Sequence, residues 1–203
     1  MSENRILPKL LEIDCIRLEP HAEAHREGLR QAAHNDAALF AYMPADLSGK
    51  GFDRWFDWTT GISDGKREMA WTVTDGQTGR IVGSTRYLNI ELPHKRVEIG
   101  HTWYTRDAWG SLTNPSCKYL LLQFGFEELA LNRIELKCDA RNKRSCAAIL
   151  KLGAREEGTL RSHMVMSDGY VRDTIYFSVL KAEWPLVKQS LLRRIYEDVS
   201  PGN

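Results

Sequence analysis

Residues 96–153 constrain this chain most, because they read as one unit: a strand, a polar turn, a helix, a second strand and a second capped helix. Residues 96–104 alternate, with Val97, Ile99, His101 and Trp103 on one face and Glu98, Gly100, Thr102 and Tyr104 on the other. One carboxylate therefore lies on a small, polar face. In the turn that follows, Asn114 suits an N-cap and Pro115 a first helical position, so a helix is expected to begin at Pro115. Cys117, Leu120, Leu121, Phe124 and Glu128 then recur at helical spacing, as on a helix packed against a sheet. Its free N–H groups and positive dipole end suit a pyrophosphate, with Arg106 and Lys118 able to add charge, although every capped helix has such an end. Residues 133–138 alternate Ile134, Leu136 and Cys138 against Glu135 and Lys137, and lead to Asn142, a second expected N-cap. That helix carries Ile149 and Leu152 toward a core and stops at Gly153, with Ser145 in its first turn.

Around this unit the chain expects a strand at 15–18, a helix from Glu19-Pro20 to about Ala33, and a loop over 42–51. Phe52, Trp55, Phe56 and Trp58 fall at helical spacing over 52–62 and are expected mostly in a core. Strands at 69–74 and 80–92 form an antiparallel meander with 96–104, and strands at 156–166 and 171–180 flank the turn Ser167-Asp168-Gly169. From 182 to 196, Trp184, Val187, Leu191, Leu192 and Ile195 form one stripe, expected to dock on the domain or on a second copy, which leaves a homodimer open. This order predicts an α/β (α+β) fold: a mixed, mostly antiparallel sheet with helices on both faces, over one domain spanning 1–203 with its core at 13–181.

Composition excludes several classes. With 28 basic and 27 acidic residues there is no field to gather nucleic acid or an anionic membrane surface. The first five residues lack a leader's apolar run, and no segment approaches a membrane span, so a cytoplasmic protein is expected. Cys15, Cys117, Cys138 and Cys146 form no CxxC pair and read as reduced core thiols, with no metal site.

Glu98-Ile99-Gly100, Trp109-Gly110-Ser111-Leu112-Thr113-Asn114, Leu131-Asn132-Arg133-Ile134-Glu135-Leu136-Lys137, Asn142-Lys143-Arg144-Ser145 and the hairpin from Met166 to Ser178 together resemble the GNAT family of acetyl-CoA-dependent N-acetyltransferases. The most similar branch is the one containing the ribosomal-protein N-terminal alanine acetyltransferases. The resemblance covers roughly residues 13 to 185. It implies acetyl-CoA as acyl donor and a primary amine, on a small molecule or a peptide N-terminus, as acceptor by direct attack. It also implies CoA contacts from Trp103, Tyr104, Thr105, Trp109, Gly110, Ser111, Leu112, Thr113, Asn114 and Asn142. One position departs from the family pattern: Leu112 replaces a glycine of the pyrophosphate loop, where a side chain restricts backbone approach.

An attacking amine must lose a proton, and Glu98 is the candidate to take it, directly or through water. The bland reading of Glu98 is a carboxylate bonded to a neighbouring strand or paired with Arg86. Ser145 is expected to donate to the leaving thiolate, with Tyr104 in reserve and His101 as a core histidine. A backbone N–H near Thr102 to Tyr104 is expected to stabilise the thioester oxygen. By the family layout the acceptor lies between Trp55 and Trp58 on one side and His163 and Tyr170 on the other. The rival reading is a non-catalytic acyl-CoA-binding or regulatory domain.

Overall fold

A computed structural model describes residues 5–34, 36–44 and 47–197. Residues 1–4 and part of the 42–51 loop, both read above, lie outside them.

Eight strands form one sheet in the order β1-β2-β3-β4-β5-β6-β8-β7. They are β1 (Leu11–Ile13), β2 (Ile16–Pro20), β3 (Met69–Asp75), β4 (Ile81–Glu91), β5 (Arg96–Tyr104), β6 (Arg133–Asp139), β7 (Arg155–Val165) and β8 (Val171–Leu180). Among the described residues only β5 and β6 pair in parallel. The helices are α1 (Arg26–Ala33), α2 (Phe52–Ile62), α3 (Thr113–Gln123), α4 (Lys143–Leu152) and α5 (Trp184–Tyr196). The expected mixed, mostly antiparallel sheet with helices on both faces is the architecture found. β1 was not expected: three residues carry too little alternation to read, yet Leu11 pairs with Leu18 and is buried.

The sheet divides two cores. Val97, Ile99, Tyr104 and Tyr87 pack with α3, α4 and α5, where Trp184, Val187, Leu191 and Ile195 dock on the chain's own core. On the other face Trp103 joins Leu29, Trp55 and Phe56 from α1 and α2. This corrects the simple alternation of β5, which groups Trp103 with Val97 and Ile99. The pairing of β4 with β5 slips between Ser84 and Arg86. There His101 adopts a positive φ of 45°, as an extra residue in one strand requires. The bulge exchanges the faces beyond it, sending Trp103 to the α1/α2 side with Glu98 and Tyr104 to the α3 side. Burial of the Trp103 indole holds this arrangement by roughly 2–3 kcal/mol.

Three local expectations change. Helix α3 begins at Thr113, not Pro115, and Asn114 is not its cap. The Ser111 hydroxyl accepts from the Thr113 amide at 3.1 Å, and Pro115 fits the first turn, where its missing N–H has no role. The helix then closes in a π turn, Phe124–Glu128. A Cβ on Gly125 would stand 2.6 Å from Ile134, so this residue must be small. Finally, Cys138 and Cys146 are not two separate thiols: they are joined as a disulfide, with Cα atoms 6.2 Å apart. The tight turn at residues 140–142 brings the end of β6 onto the first turn of α4, a proximity the spacing of the cysteines does not advertise. Cys117 remains free, and burial pushes its thiol up to about 12, which keeps it unreactive. Among the described residues no helix is long and apolar enough to cross a membrane.

Candidate active site

The parallel pairing of β5 and β6 runs only from Arg96 opposite Arg133 to Ile99 opposite Leu136. Beyond that point β5 continues to Tyr104 and β6 to Asp139 without pairing to each other, so the sheet opens into a V. A cavity of about 820 Å³ fills the opening, lined by both strand ends, the starts of α3 and α4, and residues 38–44. Backbone groups of residues 100–104 that face β6 lack a ladder partner and are free to meet a ligand.

Glu98 stands at the apex, 1% exposed. Its Oε2 accepts from Asn89 Nδ2 at 2.9 Å and pairs with Lys137 Nζ at 3.1 Å. Its Oε1 has no hydrogen-bond partner among the described residues. Arg86 is not its counter-ion: that guanidinium binds Glu68 and Thr59. Burial raises the Glu98 pKa, and the Lys137 charge partly offsets the rise. Gly100 leaves the room: a Cβ there would lie 3.0 Å from Glu98 Oε1 and 2.5 Å from Leu88. His101 is not a core residue as expected. Its bulge turns it toward the cavity, and burial and Arg86 lower its pKa to about 3, so it is neutral at ordinary pH.

At the mouth, the Arg144 guanidinium lies 3.3 Å from the Trp109 ring centroid, and Arg106 lies 5.2 Å from the same ring. Arg106 is paired with Asp36, whereas Arg144 makes no ion pair among the described residues. With Lys143 alongside, this is a basic rim suited to phosphates. Asn142 caps α4, its Oδ1 accepting from the Ser145 amide at 3.0 Å. The Ser145 hydroxyl makes no hydrogen bond among the described residues and faces the cavity. Tyr104, the reserve donor, instead gives its proton to Asn114 Oδ1 at 3.3 Å. Lys118, expected to add charge near the α3 start, lines the cavity and donates to Thr102 Oγ1 at 2.9 Å, and burial lowers its pKa to about 8. Leu112 has φ −73° and ψ −7°, ordinary right-handed values that need no glycine. The positive φ of the loop falls on Gly110 instead, at 75°.

Thus Glu98, Trp103, Tyr104, Trp109, Gly110, Asn114, Asn142 and Ser145 come together on one cavity, while Thr105, Ser111, Leu112 and Thr113 support it from outside the lining. The four expected acceptor residues do not line it. Trp55 is sealed among Phe52, Phe56 and Trp103. Trp58 is 48% exposed, with Arg86 over its ring at 5.3 Å. His163 Nδ1 is 3.1 Å from the Thr174 hydroxyl, and Tyr170 stacks on Arg141. The β7–β8 hairpin contributes Met164 and Arg172 instead, because a bulge at residues 161–163 resets its register. Arg172 was legible as an arginine alternating with Thr174 and Tyr176, on the strand face shared with Lys137.

A V-shaped sheet with a basic rim and a buried carboxylate at its apex defines an acyl-CoA-dependent transferase. The family model for the acetyltransferase (GNAT) domain matches residues 16–155, and the chain belongs to this family of N-acetyltransferases, which uses acetyl-CoA. It is 30% identical over 129 residues to the Bacillus subtilis (strain 168) protein named "Putative ribosomal N-acetyltransferase YdaF", covering 63% of this chain and 67% of that one. A GCN5-related N-acetyltransferase from Brucella melitensis superposes with a TM-score of 0.90 at 27% identity, over 98% of this chain and 91% of that one. Mycobacterium smegmatis RimJ, solved with CoA-disulfide, shares the fold at a TM-score of 0.77 and 18% identity, over 92% and 93% of the two chains.

Proposed function

We propose that this chain, acting as a single domain in the cytoplasm, moves the acetyl group of acetyl-CoA to a primary amine, with Glu98 as base and Ser145 as donor to the leaving sulfur. The observation that carries the assignment is the unpartnered Glu98 Oε1 at the apex of the splay. A buried carboxylate oxygen left without a hydrogen bond is costly unless a ligand completes it. The residues present fit the donor: Arg144 and Lys143 suit its phosphates, the edge of residues 100–104 suits its amide-bearing arm, and Asn142 and Ser145 on the α4 start would meet that arm from the other side. When bound, acetyl-CoA supplies the thioester carbonyl. Glu98 takes the proton of the amine as the C–N bond forms, directly or through water. Backbone N–H groups around the His101 bulge stabilise the carbonyl oxygen, and the Ser145 hydroxyl donates to the sulfur as the C–S bond breaks. A homodimer, formed through the exposed Leu186 and Tyr196 of α5, would show as a concentration-dependent mass.

Glu98→Gln is expected to lower kcat by about 10²- to 10⁴-fold, and Ser145→Ala by about tenfold, with acetyl-CoA affinity by calorimetry nearly unchanged. Parent rates in both variants would overturn the roles. Absence of acetyl-CoA binding in the parent would overturn the activity itself.

A further inference from the structure

Arg172 is 5% exposed and lines the cavity, yet its guanidinium makes no hydrogen bond or ion pair among the described residues, and Nε is fully without a partner. It shares a sheet face with Glu98, Lys137 and Asp139, since Thr174 pairs with Asp139, Tyr176 with Lys137, and Glu135 with Glu98. Both nearby carboxylates are committed elsewhere. Asp139 is held by Arg141 through its side chain and amide, and Glu98 Oε2 by Lys137 and Asn89. Asp139 and Glu98 still act on Arg172 through space, but neither bonds to it. In the cavity lining Lys137 and Arg141 are each paired with one of these carboxylates, and Arg172 is left beside them with no ion pair of its own among the described residues.

We propose that Arg172 binds the carboxylate of the acceptor, so that the substrate is a small amino acid rather than a simple amine or a peptide N-terminus; this rests on the acetyl-transfer reading above. The complementarity is two-pointed. Glu98 Oε1 is an acceptor without a donor, and Arg172 is a donor without an acceptor, in one cavity. A zwitterion supplies both missing partners, and a planar carboxylate matches the paired N–H donors of a guanidinium. An N-terminal residue within a peptide has an amide where the carboxylate would be, leaving Arg172 buried and unpaired. Met164 in the lining offers an apolar contact for the acceptor's side chain.

The test measures thiol release from acetyl-CoA with a panel of α-, β- and γ-amino acids, their amides and their decarboxylated amines, with aminoalkylphosphonates as a second anionic arm. An amino acid is expected to exceed its own amide in kcat/KM by about 10- to 100-fold. Arg172→Gln should bring that ratio close to one, and Arg172→Lys should restore part of it. The parent ratio is informative even if a variant fails to fold. Turnover of amides or peptides at or above the rate of the free acids overturns the assignment and leaves amine acetylation standing. A preference for phosphonates overturns the carboxylate. If no amine of any class releases thiol, both this inference and the acetyl-transfer reading fall.

Discussion

Arg86 and Arg172 are both buried arginines on the same face of the sheet, and they differ in what surrounds them. Arg86, 1% exposed, gives hydrogen bonds to Glu68 at 3.1 Å and Thr59 at 3.0 Å and lies over Trp58. Arg172, 5% exposed, gives none among the described residues. Burying a guanidinium is costly, and at Arg86 two donors are matched while Nε is left without a partner, whereas at Arg172 no donor is matched among the described residues. The first fastens α2 to the sheet; the second lies on a cavity wall, where a ligand can complete it.

The largest effect that separates them is on stability. Glu68→Ala removes the counter-ion of a buried charge and is expected to cost about 3–5 kcal/mol in denaturant unfolding. A loss below about 1 kcal/mol would mean that Arg86 is not held by this pair. Acid should act next, through the two histidines whose charged forms Arg86 opposes. Burial first, then Arg86, lowers His21 to about 4 and His101 to about 3. The unfolded chain therefore binds these protons first. Stability present above pH 6.5 should fall as pH drops toward 4 and 3, by up to about 1.4 kcal/mol per pH unit for each histidine. His21→Phe should remove one share of that slope, and an unchanged slope would exclude His21 as its source.

Lys137 offers a smaller, sharper probe. Its charge lowers the Glu98 pKa against the rise from burial, so Lys137→Met should move the acid limb of kcat/KM upward. An unmoved limb would assign that titration to another group. The smallest change belongs to Arg172 itself. Without ligand, Arg172→Gln should leave stability unchanged or raise it by up to about 1 kcal/mol, the opposite sign to Glu68→Ala. A loss as large as that of Glu68→Ala would make Arg172 a structural residue after all.

Strand and helix order was readable because long periodic segments carry it, and the α4 start because Asn142 is followed at once by helix-forming residues. The β5 bulge was not readable. Hydrophobic residues stand at both parities of 97–104, so a slip at His101 leaves the pattern looking continuous while Trp103 and Tyr104 change sides. The α3 start misled because Asn114 and Pro115 form a strong local signal that the Ser111 hydroxyl, placed by the loop, overrides. Glu98 was legible as a lone carboxylate in a strand. Its counter-ion was not, because Lys137 lies on a strand that joins only through the parallel pairing. The acceptor wall failed for the same reason: which hairpin side chains face the cavity depends on the bulge at residues 161–163, not on composition.

The short seam between β5 and β6 has a consequence for motion. Among the described residues the ladder between β5 and β6 has four register pairs, Arg96 to Ile99 against Arg133 to Leu136, and it is the one place where the β6-β8-β7 leaf joins the sheet of β1 to β5. Amide hydrogens of residues 100–104 that face the gap sit in the middle of the sheet without its usual protection, and they should exchange with deuterium faster than those of Val97 or Ile134. A ligand that spans the gap would act as a missing strand between the two leaves. Slowed exchange on both edges at once would record it, with no assay of turnover required.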